Sequence, residues 1–246
     1  MHLALFALLL VAAPRPVIET TVKVRKVFSD GTSVIQSTVY HYDYGRFLDS
    51  LGRPYAGDDT FVLRLTRALR EIEEGGPTGR DLVASLEQDP RSTQIAYGYL
   101  NEADMDRGEY VHWDPNGTLS APDQAGYTHR PAFIGLAHEL AHIYDVWRGT
   151  LNRHTWRVLP ETDGVWVNVP YAELYATHIE NKIRSENGIP LRMSYATAID
   201  GDEGAQRYTD RASLLIRPGT RESLYFDCEG HTSYHALRKS EMAARY

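Results

Sequence analysis

Polar and apolar residues alternate along residues 17–42, in "TTVKVRKVF" and again in "TSVIQSTVY", on either side of Asp30-Gly31. A period of two is that of a strand with one buried face, and an Asp-Gly pair suits a tight turn, so the segment reads as an N-terminal β-hairpin. The period then becomes helical. Val62, Leu65, Leu69 and Ile72 recur at helical spacing within residues 61–74, behind the capping candidates Asp58-Asp59-Thr60 and ahead of the stop Gly75-Gly76-Pro77. A second helix is expected from Thr78 to about Glu87 on Leu82, Val83 and Leu86. Between Thr93 and Asp114, "TQIAYGYL" and "GEYVHWD" read as strands joined by a polar loop, and Asp114-Pro115-Asn116-Gly117 as a turn.

The stretch "PAFIGLAHELAHIYDVW", residues 131–147, is apolar nearly all round a helix, which marks a buried helix. It nevertheless carries His138, Glu139 and His142. Buried ionisable groups cost several kcal/mol unless something pairs with or coordinates them, so this helix needs a chemical reason. Residues 149–169 read as loop. Pro170 then opens a helix running through Asn187, stopped by Gly188 with Pro190 beyond. With no repeat, low-complexity tract or linker, the pattern predicts one α+β domain from about residue 17 to the end, residues 17–246.

Composition narrows the picture. The chain has 246 residues, 42% of them hydrophobic, enough for a sizeable core. Its net charge is −7 and no Lys/Arg run could track a phosphate backbone, so nucleic acid is not an expected partner. One cysteine, Cys228, excludes an intramolecular disulfide and a cysteine-ligated zinc finger, and "CEGH" is read as a small buried side chain near His231 rather than a nucleophile pair. The apolar segment at 1–16 is too short for a stable membrane span, which needs about 20 residues. Its small residues Val11 and Ala13 make residues 1–13 a signal-peptide candidate, against which stand Pro14 and the lack of a preceding basic residue.

In "HELAH" the histidines are four apart, so on a helix their rings project from one face and can share a metal ion, with Glu139 beside them as a base for water. A zinc ion there would lower the pKa of a bound water to about 7 and polarise a peptide carbonyl. A catalytic site of this kind needs a third protein ligand. The residues after His142, "IYDVWRGTLN", lack the glycine and histidine of the metzincin extension, so the ligand lies farther along. In "PYAELYATHIENKIRSENG", Glu173, Thr177, Glu180 and Arg184 form a polar stripe beside the apolar Ala172, Tyr175, Ala176, Ile179 and Ile183. Glu173 and Glu180 stand about 10.5 Å apart along the axis, so only one can bind a given ion. Glu173 is the first choice and Glu180, paired with Arg184, the alternative. Glu161 and His178 are weaker candidates. Asp145 is a candidate to orient the His142 ring, Tyr195 and Arg192 are candidate donors to a developing oxyanion, and His231 and His235 read as a surface pair.

The segments "AHELAH", "AELYATHIENKIRSENGIPLRMSY", "GPTGRDLVASL" and "YVHWDP" together resemble the NleD-type zinc metallopeptidases, found among bacterial injected effectors and toxin C-termini. The resemblance runs from about Phe61 to Tyr195. That family's later helix carries Glu-x-x-Ala and then Glu-Asn, which fall here on Glu173, Ala176, Glu180 and Asn181 and support Glu173 as the ligand. The resemblance implies a secreted or injected protease, zinc-dependent and of narrow range, acting on a protein of another cell.

The expectation is therefore a zincin-like, gluzincin-type α+β domain with a mixed or antiparallel sheet. Zn²⁺ sits on His138, His142 and Glu173, Glu139 and Tyr195 do the chemistry, and "YVHWD" pairs with an extended protein or peptide substrate. Two rivals remain: a non-catalytic metal-binding interaction module, and a zinc hydrolase of a non-peptide substrate.

Overall fold

The computed structural model describes residues 18–160, 166–200, 206–226 and 231–237. It is an α+β structure with, among the described residues, four α-helices and a mixed six-stranded sheet. The N-terminal hairpin forms as the alternation predicts. Strands β1 (Ile18–Val27) and β2 (Ser33–Asp43) pair antiparallel, Val22 opposite Thr38, with Gly31 at φ 84° in the turn. Ile18, Thr20 and Val22 face the core, while the half nearer the turn is exposed.

Strand β3 (Arg46–Leu48) pairs with the end of β2, and β1 pairs in parallel with β4 (Thr93–Tyr97). Two strands then complete the sheet: β5 (Glu102–Ala103) and β6 (Tyr110–Trp113), in the order β3-β2-β1-β4-β6-β5. This order corrects one expectation. "YVHW" is enclosed between β4, parallel to it, and β5, antiparallel to it, so its backbone has no free edge for a substrate. Among the described residues the edge on this side of the sheet is β5, a two-residue strand inside what read as a polar loop.

Helix α1 (Thr60–Gly75) is capped by Asp59, whose carboxylate accepts from the backbone N–H of Phe61 at 2.8 Å, and it buries Val62, Leu65, Leu69 and Ile72 as their spacing requires. Helix α2 (Pro77–Glu87) starts on a proline and crosses α1 tightly. A Cβ on Gly79 would stand 2.0 Å from the Ile72 carbonyl oxygen. After the short pair β7 (Thr118–Leu119) and β8 (His129–Arg130), α3 (Ala132–Arg148) runs through the core, with every residue from Ile134 to Ile143 buried. Its C-terminus is closed by Gly149, left-handed at φ 69°, whose N–H reaches the Asp145 and Val146 carbonyls.

Helix α4 (Tyr171–Glu186) packs against α3 and begins after Pro170, as read from the sequence. It is more deeply set than its pattern suggests. The polar stripe is not at a solvent edge, because Thr177, Glu180 and Arg184 are all buried. At its end Glu186 accepts from the Thr78 backbone N–H, capping α2 and tying the two helices together.

The remaining strands are two-stranded hairpins that the sequence reading took for loop or left unassigned. They are β9 (Thr155–Pro160) with β10 (Trp166–Pro170), β11 (Thr197–Asp200) with β12 (Gln206–Thr209), and β13 (Glu222–Phe226) with β14 (Thr232–Ala236). No helix of the described residues is long and apolar enough to cross a membrane. The apolar segment at 1–16, Glu161 and Cys228 lie outside the described residues.

Trp113, at the end of β6, donates its indole N–H to the Ala132 carbonyl at 2.8 Å and so fixes the first turn of α3 against the sheet. Trp113→Phe is expected to lower unfolding free energy by about 1–2 kcal/mol in urea denaturation, since it deletes that hydrogen bond and part of a buried ring.

Candidate active site

Helix periodicity and one interhelical contact assemble the site. His138 and His142, one turn apart on α3, present rings whose centroids are 4.9 Å apart at 80°. Glu173, in the first turn of α4, faces both. Its Oε2 is 3.2 Å from His138 Nε2 and its Oε1 is 3.4 Å from His142 Nε2. One donor atom from each of the three residues lies within 4.8 Å of the others, a set that could hold a metal ion.

The donor chemistry fits that role. Both His142 ring nitrogens are buried without a hydrogen bond. An unsatisfied buried donor or acceptor is costly, and two imidazoles with one carboxylate are the ligand types of first-row divalent sites. Burial would push the Glu173 carboxyl up, yet the His142 and His138 rings outweigh it and hold it well below the usual carboxylate range. The Glu173 carboxylate is thus held in its anionic form.

Glu139 points beside these groups into a cavity of about 250 Å³, lined also by Asn101 to Ala103 around the β5 edge, Met105, Arg130, Arg192 and Tyr195. It is 5% exposed. Burial raises its carboxyl above the ordinary value, against the pull of His138, His142 and Arg130. A carboxylate poised in this way is suited to take up a proton. Tyr195 stands on the cavity wall with its hydroxyl facing Glu173. Burial, and then the Glu173 charge, raise its pKa, so it stays a neutral hydrogen-bond donor.

The other candidates separate clearly. Glu180 lies on the far side of the His138 ring, 3.2 Å from Nδ1, in an ion-pair contact whose angle falls short of a straight hydrogen bond. Besides Arg184, the partner expected from sequence, it contacts Arg192 and Arg130. Arg192 spends its guanidinium on Glu180 and on the carbonyls of Ser194 and Tyr195. Asp145 is buried, but its partner is the Thr150 hydroxyl. Its other oxygen and His142 Nδ1 both lack a hydrogen bond, so the two residues are not joined. His178 faces Ser223 on β13, away from Glu173. His235 is exposed on strand β14 beside Ser233, so its i,i+4 spacing from His231 gives no helical face.

Arg130 was not singled out by sequence reasoning. It stands two residues before α3 in "HRPAF", and only the fold turns it onto Glu180 and into the cavity.

The charges define a pH dependence. Burial opposes the charge on His138, but the Glu173 and Glu180 carboxylates outweigh it and raise the ring from 6.5 to about 9. A raised folded pKa means stability that is complete below 6.5 and lost as pH rises through about 9 in the metal-free chain. A metal must displace that proton from Nε2. Apparent metal affinity is therefore expected to rise about tenfold per pH unit between those limits and to flatten above them. Chelator competition at a series of pH values measures it, and a flat profile contradicts it.

The comparisons with known proteins bear on the family. The model of the peptidase M91 family, described as an effector protein, matches residues 50–195, more than half of the chain and the whole span from α1 to Tyr195. A search of the curated proteins returns no match. By this match the chain belongs to the M91 family of effector peptidases, the NleD-like zinc metallopeptidases.

Proposed function

We propose that the chain is a zinc-dependent endopeptidase of zincin-like, gluzincin-type architecture, folded as one domain over residues 17–246. One observation carries this reading: three ligand-type atoms of His138, His142 and Glu173 converge within 4.8 Å, with the buried Glu139 beside them on an open cavity. His138 and His142 give imidazole nitrogens and Glu173 a carboxylate oxygen, a three-ligand set that leaves room for water and substrate. When bound, zinc supplies Lewis acidity toward water and toward the scissile carbonyl.

The chain's own groups do the rest. Glu139 accepts the proton of the attacking water and delivers it to the departing amine. Tyr195, neutral and on the cavity wall, donates a hydrogen bond to the oxyanion that develops on the carbonyl. The free edge of β5, rather than "YVHWD", offers backbone groups to an extended substrate at the cavity mouth.

That edge favours a peptide over a non-peptide substrate. Glu139 favours turnover over a purely structural metal site, which has no use for a base. The substrate is a protein, in keeping with an effector peptidase, reached by secretion or injection into another cell.

Glu139→Gln is expected to retain fold and zinc while lowering cleavage by about 10²–10⁴-fold, because an amide cannot accept the proton. Terminal-labelling proteomics of a lysate treated with each protein reads this out, and equal sets of cleavage products would remove Glu139 from the mechanism. Glu173→Gln is expected to weaken zinc by orders of magnitude, far more than Glu180→Gln. The reverse order in chelator titration would move the third ligand to Glu180.

A further inference from the structure

The Glu180 carboxylate is fully buried, and its two oxygens are divided. Oε1 takes the Arg184 Nε at 2.9 Å, the i,i+4 pair that the helix alone would make. Oε2 is turned the other way, to His138 Nδ1 at 3.2 Å, Arg192 Nη1 at 3.2 Å and Arg130 Nη1 at 3.5 Å. If neutralising Arg184 were its whole task, Oε2 would not gather three further cationic or protonated groups.

Each of those contacts leads to the cavity. His138 is shared between two carboxylates, with Nε2 toward Glu173 and Nδ1 toward Glu180. Once Nε2 is given to a metal, Nδ1 is the nitrogen left to carry a proton, and Glu180 Oε2 is the acceptor within reach. Arg192 extends the reach of the same oxygen. Its Nη2 holds the Tyr195 carbonyl at 2.7 Å, and its backbone is latched to Asn181, one residue after Glu180 on α4, by a pair of bonds at 2.8 and 3.1 Å.

We propose that Glu180 is a positioning residue: a single buried carboxylate that sets the His138 ring with Nε2 toward Glu173 and, through Arg192, sets Tyr195 in the cavity wall. It touches neither substrate nor metal. This rests on the zinc reading of the site. Acting through the ring, the carboxylate holds His138 in one tautomer and orientation and raises its basicity as a ligand. Acting through Arg192, it fixes the distance between metal and hydrogen-bond donor, which catalysis needs to within a fraction of an ångström.

The test compares Glu180→Gln with Arg184→Met, which breaks the same buried network on the oxygen that does not face His138. Zinc affinity is measured by chelator competition, and the His138 Nδ1–H is followed by NMR of the zinc-loaded, ¹⁵N-labelled protein. Glu180→Gln is expected to weaken zinc by about 10–100-fold and to shift the Nδ1–H signal or lose it to solvent exchange. Arg184→Met is expected to lose thermal stability while keeping wild-type zinc affinity and an unchanged Nδ1–H signal. If Glu180→Gln fails to fold, Glu180→Asp keeps the charge among the arginines but withdraws it from the ring by one methylene, and the same loss of zinc affinity is expected.

Wild-type affinity and an unchanged signal in the Glu180 variants overturn the proposal, as does zinc loss that tracks lost stability equally in both networks. Failure of the zinc reading is distinguishable, because the wild-type chain would then take up no zinc before any variant is compared, and the proposal would fall with it.

Discussion

Charge buried between two helices is the constraint around which this molecule is organised. Helices α3 and α4 meet in the core, and their contact contains two histidines, three glutamates and an arginine, with Arg130 and Arg192 brought in from the flanking segments. Isolated, each of these groups would be expelled from such a setting by its desolvation cost. Together they divide into two sets sharing one ring. On one side of His138, Glu173 answers the imidazoles. On the other, Glu180 answers the guanidiniums.

The rest of the fold serves that contact. The sheet and helices α1 and α2 supply the apolar walls that keep α3 dry, and the indole of Trp113 and the cap made by Glu186 pin the helices in register. The sheet ends where chemistry needs an opening. Strand β5 is an edge of the sheet beside the cavity, and the segment carrying Arg192 and Tyr195 also lines it, tied to α4 through Asn181.

Much of this was legible because it is local. The period of two gave the hairpin, Asp59 and Gly149 mark real helix ends, and the spacing of His138 and His142 on an apolar helix announced the cluster. Helix rise showed that Glu173 and Glu180 cannot serve one ion but did not choose between them; the fold brings Glu173 to the two histidines. What escaped depends on contacts distant in sequence. A two-residue strand such as β5 has no period to detect, so its neighbour "YVHW" was taken for the cleft strand. The small hairpins after residue 154 were read as loop or left unassigned, being built of short strands. Arg130 carries no signal in its own segment, and Glu180 looked like one half of an i,i+4 pair because its second oxygen is answered from three other places in the chain.

The central claim is that the His138, His142 and Glu173 cluster is a zinc centre. The most direct measurement is anomalous diffraction at the zinc edge from crystals of the protein purified without chelator. The account predicts one peak per chain, at about 2.0–2.2 Å from a nitrogen of His138, a nitrogen of His142 and an oxygen of Glu173, with Glu180 outside bonding distance. A map without a peak at this cluster, or a peak bonded to Glu180 in place of Glu173, would contradict it.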